Sequence, residues 1–133
     1  VIYWAIGQAL FIAGAGLFFA TAGYNVQVSL EHDDNTATGI SVGGFLVALG
    51  IFLAAILRNA SSNITQEVVI IAVEVLIGGV ILILTRFVTE RLILPRVNLD
   101  TEIAEQKNTA AGMICAASSI ITAILLSAAV TAH

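Results

Sequence analysis

Glu74 stands within an otherwise apolar run of about residues 68–94. At about 1.5 Å per residue its carboxyl would lie roughly 10–12 Å below the start of a helix. An ionisable side chain at such depth in a bilayer costs on the order of a few kcal/mol unless it is protonated, paired or hydrated. Glu67, Glu74, Gly78, Ile81, Thr85 and Thr89 fall on one face at helical spacing, so the run has a polar stripe that should face protein or water rather than lipid. Arg86 would be about 18 Å further along the same helix, too far to pair with Glu74. Two chemistries follow. Glu74 is either a neutral acid hydrogen-bonded to a neighbour or, with Thr85, an intramembrane site that handles protons or cations.

The remaining polar residues support less chemistry. Glu31-His32-Asp33-Asp34 offers imidazole and carboxylates, but the spacing matches no defined metal site, and a solvated acidic loop is the expectation. Cys115 is the one cysteine, so neither an intrachain disulfide nor a thiolate metal site can form. No His, Cys or Ser constellation suggests an enzyme, and none of these residues asks for a metal or a cofactor. Asn35-Thr36 and Asn108-Thr109 each precede an apolar run, where an amide oxygen can accept an orphan N–H of the first helical turn. Capping is the plainer reading of both pairs. The sharper one makes them two related helix starts that bind an ion or a headgroup.

These residues are carried by 133 positions, of which 59% are hydrophobic and 11% charged, with mean hydropathy +1.01. Soluble domains run at about 45–50% apolar and about 25% charged. Four stretches, about 2–24, 36–57, 68–94 and 109–132, are each near the ~20 residues that cross a bilayer as a helix. They are too long and too uniformly apolar to be barrel strands. The expected fold is therefore an all-α membrane protein with four transmembrane helices. The residues left over cannot bury a soluble catalytic core. Five basic residues against nine acidic ones give a net charge of −4, which excludes nucleic acid as a partner. The lipid bilayer is the expected surrounding.

Sliding the chain by 73 positions sets Asn35-Thr36-Ala37-Thr38-Gly39 on Asn108-Thr109-Ala110-Ala111-Gly112, and Asn25 on Asn98. The organisation is read as a single transmembrane domain made of a tandem repeat of two helical hairpins, residues 1–60 and 61–133. The second helix of each hairpin has small residues at 4-4-3-4 spacing. Gly39, Gly43, Val47, Gly50 and Ala54 form one stripe, and Gly112, Ala116, Ile120, Ala123 and Ser127 form the other. Such stripes let backbones approach closely in lipid. They predict contact between the second and fourth spans, or with another copy in a homo-oligomer. Arg86, Arg91, Arg96 and Lys107 cluster around the third loop, whereas only Arg58 lies near the second. By the positive-inside rule, loops 1 and 3 are cytoplasmic and both termini lie outside. Glu90 pairs by spacing with Arg86, and Pro95 is expected to end or kink the third helix.

The twice-occurring acidic loop leading into Asn-Thr-Ala-x-Gly, most specific at Asn108-Thr109-Ala110-Ala111-Gly112-Met113, resembles the domain-of-unknown-function 350 family of small bacterial inner-membrane proteins. The likeness covers essentially the whole chain. It implies a four-span, two-repeat protein of the bacterial inner (plasma) membrane with membrane or cytoplasmic protein partners. It assigns no activity and no catalytic residue. Two readings remain: an oligomeric scaffold or envelope-associated subunit of a membrane complex, or a small ion or proton channel or transporter along the polar face of the third helix.

Overall fold

The computed structural model describes residues 1–21, 25–60, 63–88 and 99–131. They form six helices: α1 (Ile2–Thr21), α2 (Val26–Glu31), α3 (Thr36–Arg58), α4 (Ile64–Val88), α5 (Leu99–Ala104) and α6 (Thr109–Thr131). No strand occurs among the described residues. The four long helices, α1, α3, α4 and α6, are each long and apolar enough to cross a membrane. Their exteriors fit that setting, since Trp4, Leu76 and Leu125 are each about two-thirds exposed. A water-facing surface with so many large apolar side chains would be an aggregation liability.

Helix α3 is the centre of the molecule. It buries Phe45, Ala48, Leu49, Phe52, Leu53 and Ile56, while the other three long helices expose most of their length. Its most extensive partner is α6, and the two run parallel: Ala37 meets Gly112, Gly44 meets Ala116, and the Asn59 side chain reaches the carbonyl of Val130. Helix α1 runs antiparallel along another side of α3. Gly7 lies against Leu57, Gly14 against Leu49, and the Phe18 ring stacks on Phe45 at 4.3 Å and 24°. Helix α4 lies across both α3 and α6, with Gly78 pressed on the ring of Phe52. Buried aromatics and aliphatics thus hold α1 and α4 onto a central pair whose backbones are close.

The two connections leading into α3 and α6 are built alike. In the first, the N–H of Asn35 donates to the carbonyl of Ser29 (3.0 Å) and Asp34 takes φ +47°. In the second, Asn108 donates to Glu102 (2.7 Å) and Lys107 takes φ +51°. Each short helix therefore closes through one residue in the left-handed region, where an L side chain is rarely found. Such a φ is held here by the turn's own hydrogen bonds. The expected pairing of Arg86 with Glu90, and the expectations for Arg91, Pro95 and Arg96, fall on residues or side chains outside the described set.

Candidate functional site

At the loop end of the bundle, Asn35 and Asn108 cap the central helices. Asn35 Oδ1 accepts from the N–H of Thr38 (3.2 Å) and Asn108 Oδ1 accepts from that of Ala111 (3.3 Å). Their amide donors differ. Asn35 is buried, and its Nδ2 crosses to the carbonyl of Ile103 in α5 (2.6 Å), so one side chain caps α3 and pins the other loop. Asn108 is half-buried and donates to the Glu102 carboxylate (2.9 Å). Lys107 adds a second tie by donating through Nζ to the carbonyl of Asp33 (2.9 Å). Thr36 and Thr109 are exposed. Each amide thus donates to the protein itself, and the two helix starts lie side by side at one end of the bundle, with Ala37 against Gly112. Sequence reasoning found the caps but not the cross-tie to Ile103, because a contact spanning 68 residues leaves no local mark.

Beside this cap the Thr38 hydroxyl is fully buried and has no hydrogen-bond partner among the described residues. An unsatisfied buried hydroxyl costs about 1–3 kcal/mol. Thr38→Val, which keeps the shape and removes the polar atom, should raise the unfolding free energy by about 1 kcal/mol. Thermal unfolding in detergent will read this as a higher midpoint.

The α3–α6 seam differs from expectation in its rotation. Gly112 lies where a methyl would be 2.5 Å from the carbonyl oxygen of Ala37, and a methyl on Gly44 would fall on Ala116 itself. Ala123 is fully buried. Gly39 is exposed, and nothing lies within 4 Å of a side chain built at Gly43 or Gly50. On α3 the seam therefore runs through Ala37, Ser41, Gly44 and Ala48 rather than through the stripe of Gly39, Gly43 and Gly50. Small residues occupy both sets of positions. Burial of Phe45 and Phe52 against α1 and α4 turns the first set toward α6. The small residues Ala37, Ser41, Gly44 and Ala48, also at helical spacing, were the signal available in the sequence.

Glu74 and Thr85 both border the groove between α4 and α6. Glu74 is half-buried and lines a hollow of about 180 Å³ with Phe52, Gly78, Leu126, Ala129 and Val130. It makes no hydrogen bond or ion pair among the described residues. Thr85 opens on a separate hollow of about 370 Å³ with Ser118 and Thr122, and its hydroxyl donates back to the carbonyl of Ile81 (2.8 Å). Along α4, Glu74 lies ten residues after Ile64 and inside the apolar span Thr65–Thr85, as deep as expected, but its packed neighbours are near their own ends. Gly78 meets Phe52, which lies six residues before Arg58 at the end of α3, and Glu74 lies four residues from Gly78 in the same direction. At about 1.5 Å per residue Glu74 is level with a point only about 3 Å short of that end. Ala129 and Val130 belong to the last turn of α6, which ends at Thr131. The first turns of α4 extend past its neighbours, so counting from the start of α4 overstates how far Glu74 is enclosed.

The four residues Glu31 to Asp34 are exposed, and no group of three metal-ligating side chains occurs among the described residues. Cys115 is buried against Ala37, Ile103 and Ala111. The described residues therefore hold a capped loop end, a close-packed seam and a groove bordered by one acid.

The decisive comparison is with protein families. A profile described as Domain of Unknown Function (DUF350) matches residues 1–130, nearly the full chain. The chain belongs to the DUF350 family. No curated protein and no solved structure matches it. For this DUF350 chain the roles of the caps, seam and groove rest on their own chemistry.

Proposed function

We propose that this DUF350 chain is an oligomeric scaffold of the bacterial inner membrane, a non-catalytic subunit that assembles with copies of itself and with membrane or cytoplasmic proteins. The observation that carries this reading is the unoccupied stripe on α3. Gly39, Gly43 and Gly50 lie outside the intramolecular seam, with open space over Gly43 and Gly50. A glycine face open to lipid gains little, whereas against another helix it permits the close backbone approach that drives association in a bilayer. Gly43→Leu should therefore convert an oligomer into monomers while helix content stays unchanged, as read by native mass and circular dichroism in mild detergent. A monomeric wild type would overturn the proposal.

The scaffold is, on this reading, a tandem repeat of two hairpins. Its support is that α2 and α5, α3 and α6, the two Asn caps and the two positive-φ residues Asp34 and Lys107 each recur at the same offset, 107 − 34 = 73. Loops 1 and 3 are placed in the cytoplasm and both termini outside, since the basic residues concentrate around loop 3. In a Cys115→Ser background, a cysteine at exposed His32 or Gln106 should resist a membrane-impermeant thiol reagent in intact cells. One at exposed Asn63 should react. The inverse labelling pattern would reverse the topology.

The groove favours one further reading, a proton or cation path past Glu74 and Thr85. Among the described residues Glu74 and Thr85 line separate hollows, which makes it the weaker of the two. Proton flux through reconstituted vesicles above that of empty ones would support it.

A further inference from the structure

Glu74 lies inside the apolar span Thr65–Thr85, where an unpaired acid is costly, and it has no hydrogen-bond or ion-pair partner among the described residues. Arg58 is its complement. It is exposed at the end of α3 and folds back one turn, its Nε donating to the carbonyl of Ala54 (3.4 Å). With Gly78 against Phe52, Glu74 is level with about residue 56 of α3, between Ala54 and Arg58. The two side chains share a level but not a face. Phe52 faces α4, whereas Arg58, six residues on, is turned about 120° away from it. Copies inserted in one orientation share every level, so the cation of one copy stands at the height of the acid of the next.

Shape agrees with charge. Gly43, Val47, Gly50, Ala54 and Arg58 recur at 4-3-4-4 spacing on one face of α3. Val47, Ala54 and Arg58 are exposed, and nothing lies within 4 Å of a side chain built at Gly43 or Gly50. Val47 and Arg58 are thus two projections on a face otherwise made of small residues, eleven residues apart, or about 16 Å of helix. The α4–α6 groove offers two hollows, one of about 180 Å³ at Glu74 and one of about 370 Å³ at Thr85, Ser118 and Thr122. Glu74 and Thr85 are also eleven residues apart. Gly44 meets Ala116, which sets Ser118 level with about residue 46 and so beside the height of Val47. Two knobs and two separate holes therefore match in spacing and in level.

We propose that the open face of α3 in one copy docks into the α4–α6 groove of a second copy, with Arg58 paired to the second copy's Glu74 and Val47 seated in the second copy's hollow at Thr85 and Ser118. This contact rests on the scaffold reading and names the surface that the glycine stripe meets. Gly43 and Gly50 let the backbones approach, and the ion pair fixes the register, since a slip of one turn would leave both charges unpaired. The two faces differ, so the contact is head-to-tail and closes as a ring about an axis along the membrane normal.

The test follows the full chain in mild detergent by native mass spectrometry, with circular dichroism for helix content. Arg58→Glu and Glu74→Arg should each weaken assembly about ten-fold or more at unchanged helix content, because each sets like charges across the contact. Mixed in equal amounts the two variants should reassemble, since contacts between unlike copies again join opposite charges. If a charge variant does not fold, a disulfide reads the same contact. In a Cys115→Ser background, differently tagged chains carrying Val47→Cys and Ser118→Cys should cross-link to each other. Assembly undisturbed by both charge variants overturns the proposal, as does failure of the folded variants to recover on mixing or absence of the cross-link. If Gly43→Leu disperses the oligomer while both charge reversals leave it intact, the scaffold reading stands and this contact falls. A monomeric wild type removes both.

Discussion

Asn35→Asp, a change of one amide to a carboxylate, should cost on the order of 3–5 kcal/mol of stability at neutral pH, the range for an unpaired buried charge. The carboxylate can still accept from the N–H of Thr38, so the cap on α3 survives. The donor to the carbonyl of Ile103 is lost, and two oxygens then face one another in a buried position. Acidification protonates the new carboxyl and restores a donor toward Ile103, so part of the loss should return as the pH falls. Denaturant unfolding in detergent, followed by circular dichroism at neutral and acidic pH, measures both effects. Asn108→Asp is the control. Its amide donates to the neighbouring Glu102 carboxylate from a half-buried position, so the change places two acids side by side with solvent near. Its cost should be clearly smaller. Equal costs at the two positions would mean that the bond from Asn35 to Ile103 adds nothing beyond the cap.

The second large effect separates two adjacent glycines. Gly44→Ala should destabilise the fold by about 2 kcal/mol, within the ~1–3 kcal/mol typical of overpacking a tight contact. A methyl there falls on Ala116, including its backbone, so α3 and α6 must move apart along their whole seam. Gly43→Ala should instead stabilise the dissociated chain by about 0.5–1 kcal/mol, the usual gain when glycine in a helix becomes alanine, because nothing lies near the new methyl. Unfolding is best compared in a detergent that keeps both variants monomeric, so that the outer stripe has no partner. Gly112→Ala should follow Gly44, since the atom it meets is the carbonyl oxygen of Ala37 and a backbone oxygen cannot rotate away. A stabilised Gly44→Ala would place the seam elsewhere on α3.

What the sequence determined by itself is what depends on neighbours along the chain. Four runs near 20 apolar residues can satisfy their backbones in lipid only as helices, so the number and approximate limits of the spans follow from composition. The caps at Asn35 and Asn108 were legible because an N-cap bonds to an N–H three residues on. Contact between α3 and α6 was legible from their shared wealth of small residues. Tertiary structure decided the rotation and the slide of each helix, because both depend on partners far away in sequence. Rotation placed Gly44 rather than Gly43 in the seam, through Phe45 stacking on Phe18 and Phe52 packing on Gly78. Slide set Glu74 beside the last turn of α6, since the length of α4 says nothing about where its neighbours end. The tie from Asn35 to Ile103 needed both, because an amide finds a carbonyl 68 residues away only once the two loops are packed together at one end of the bundle.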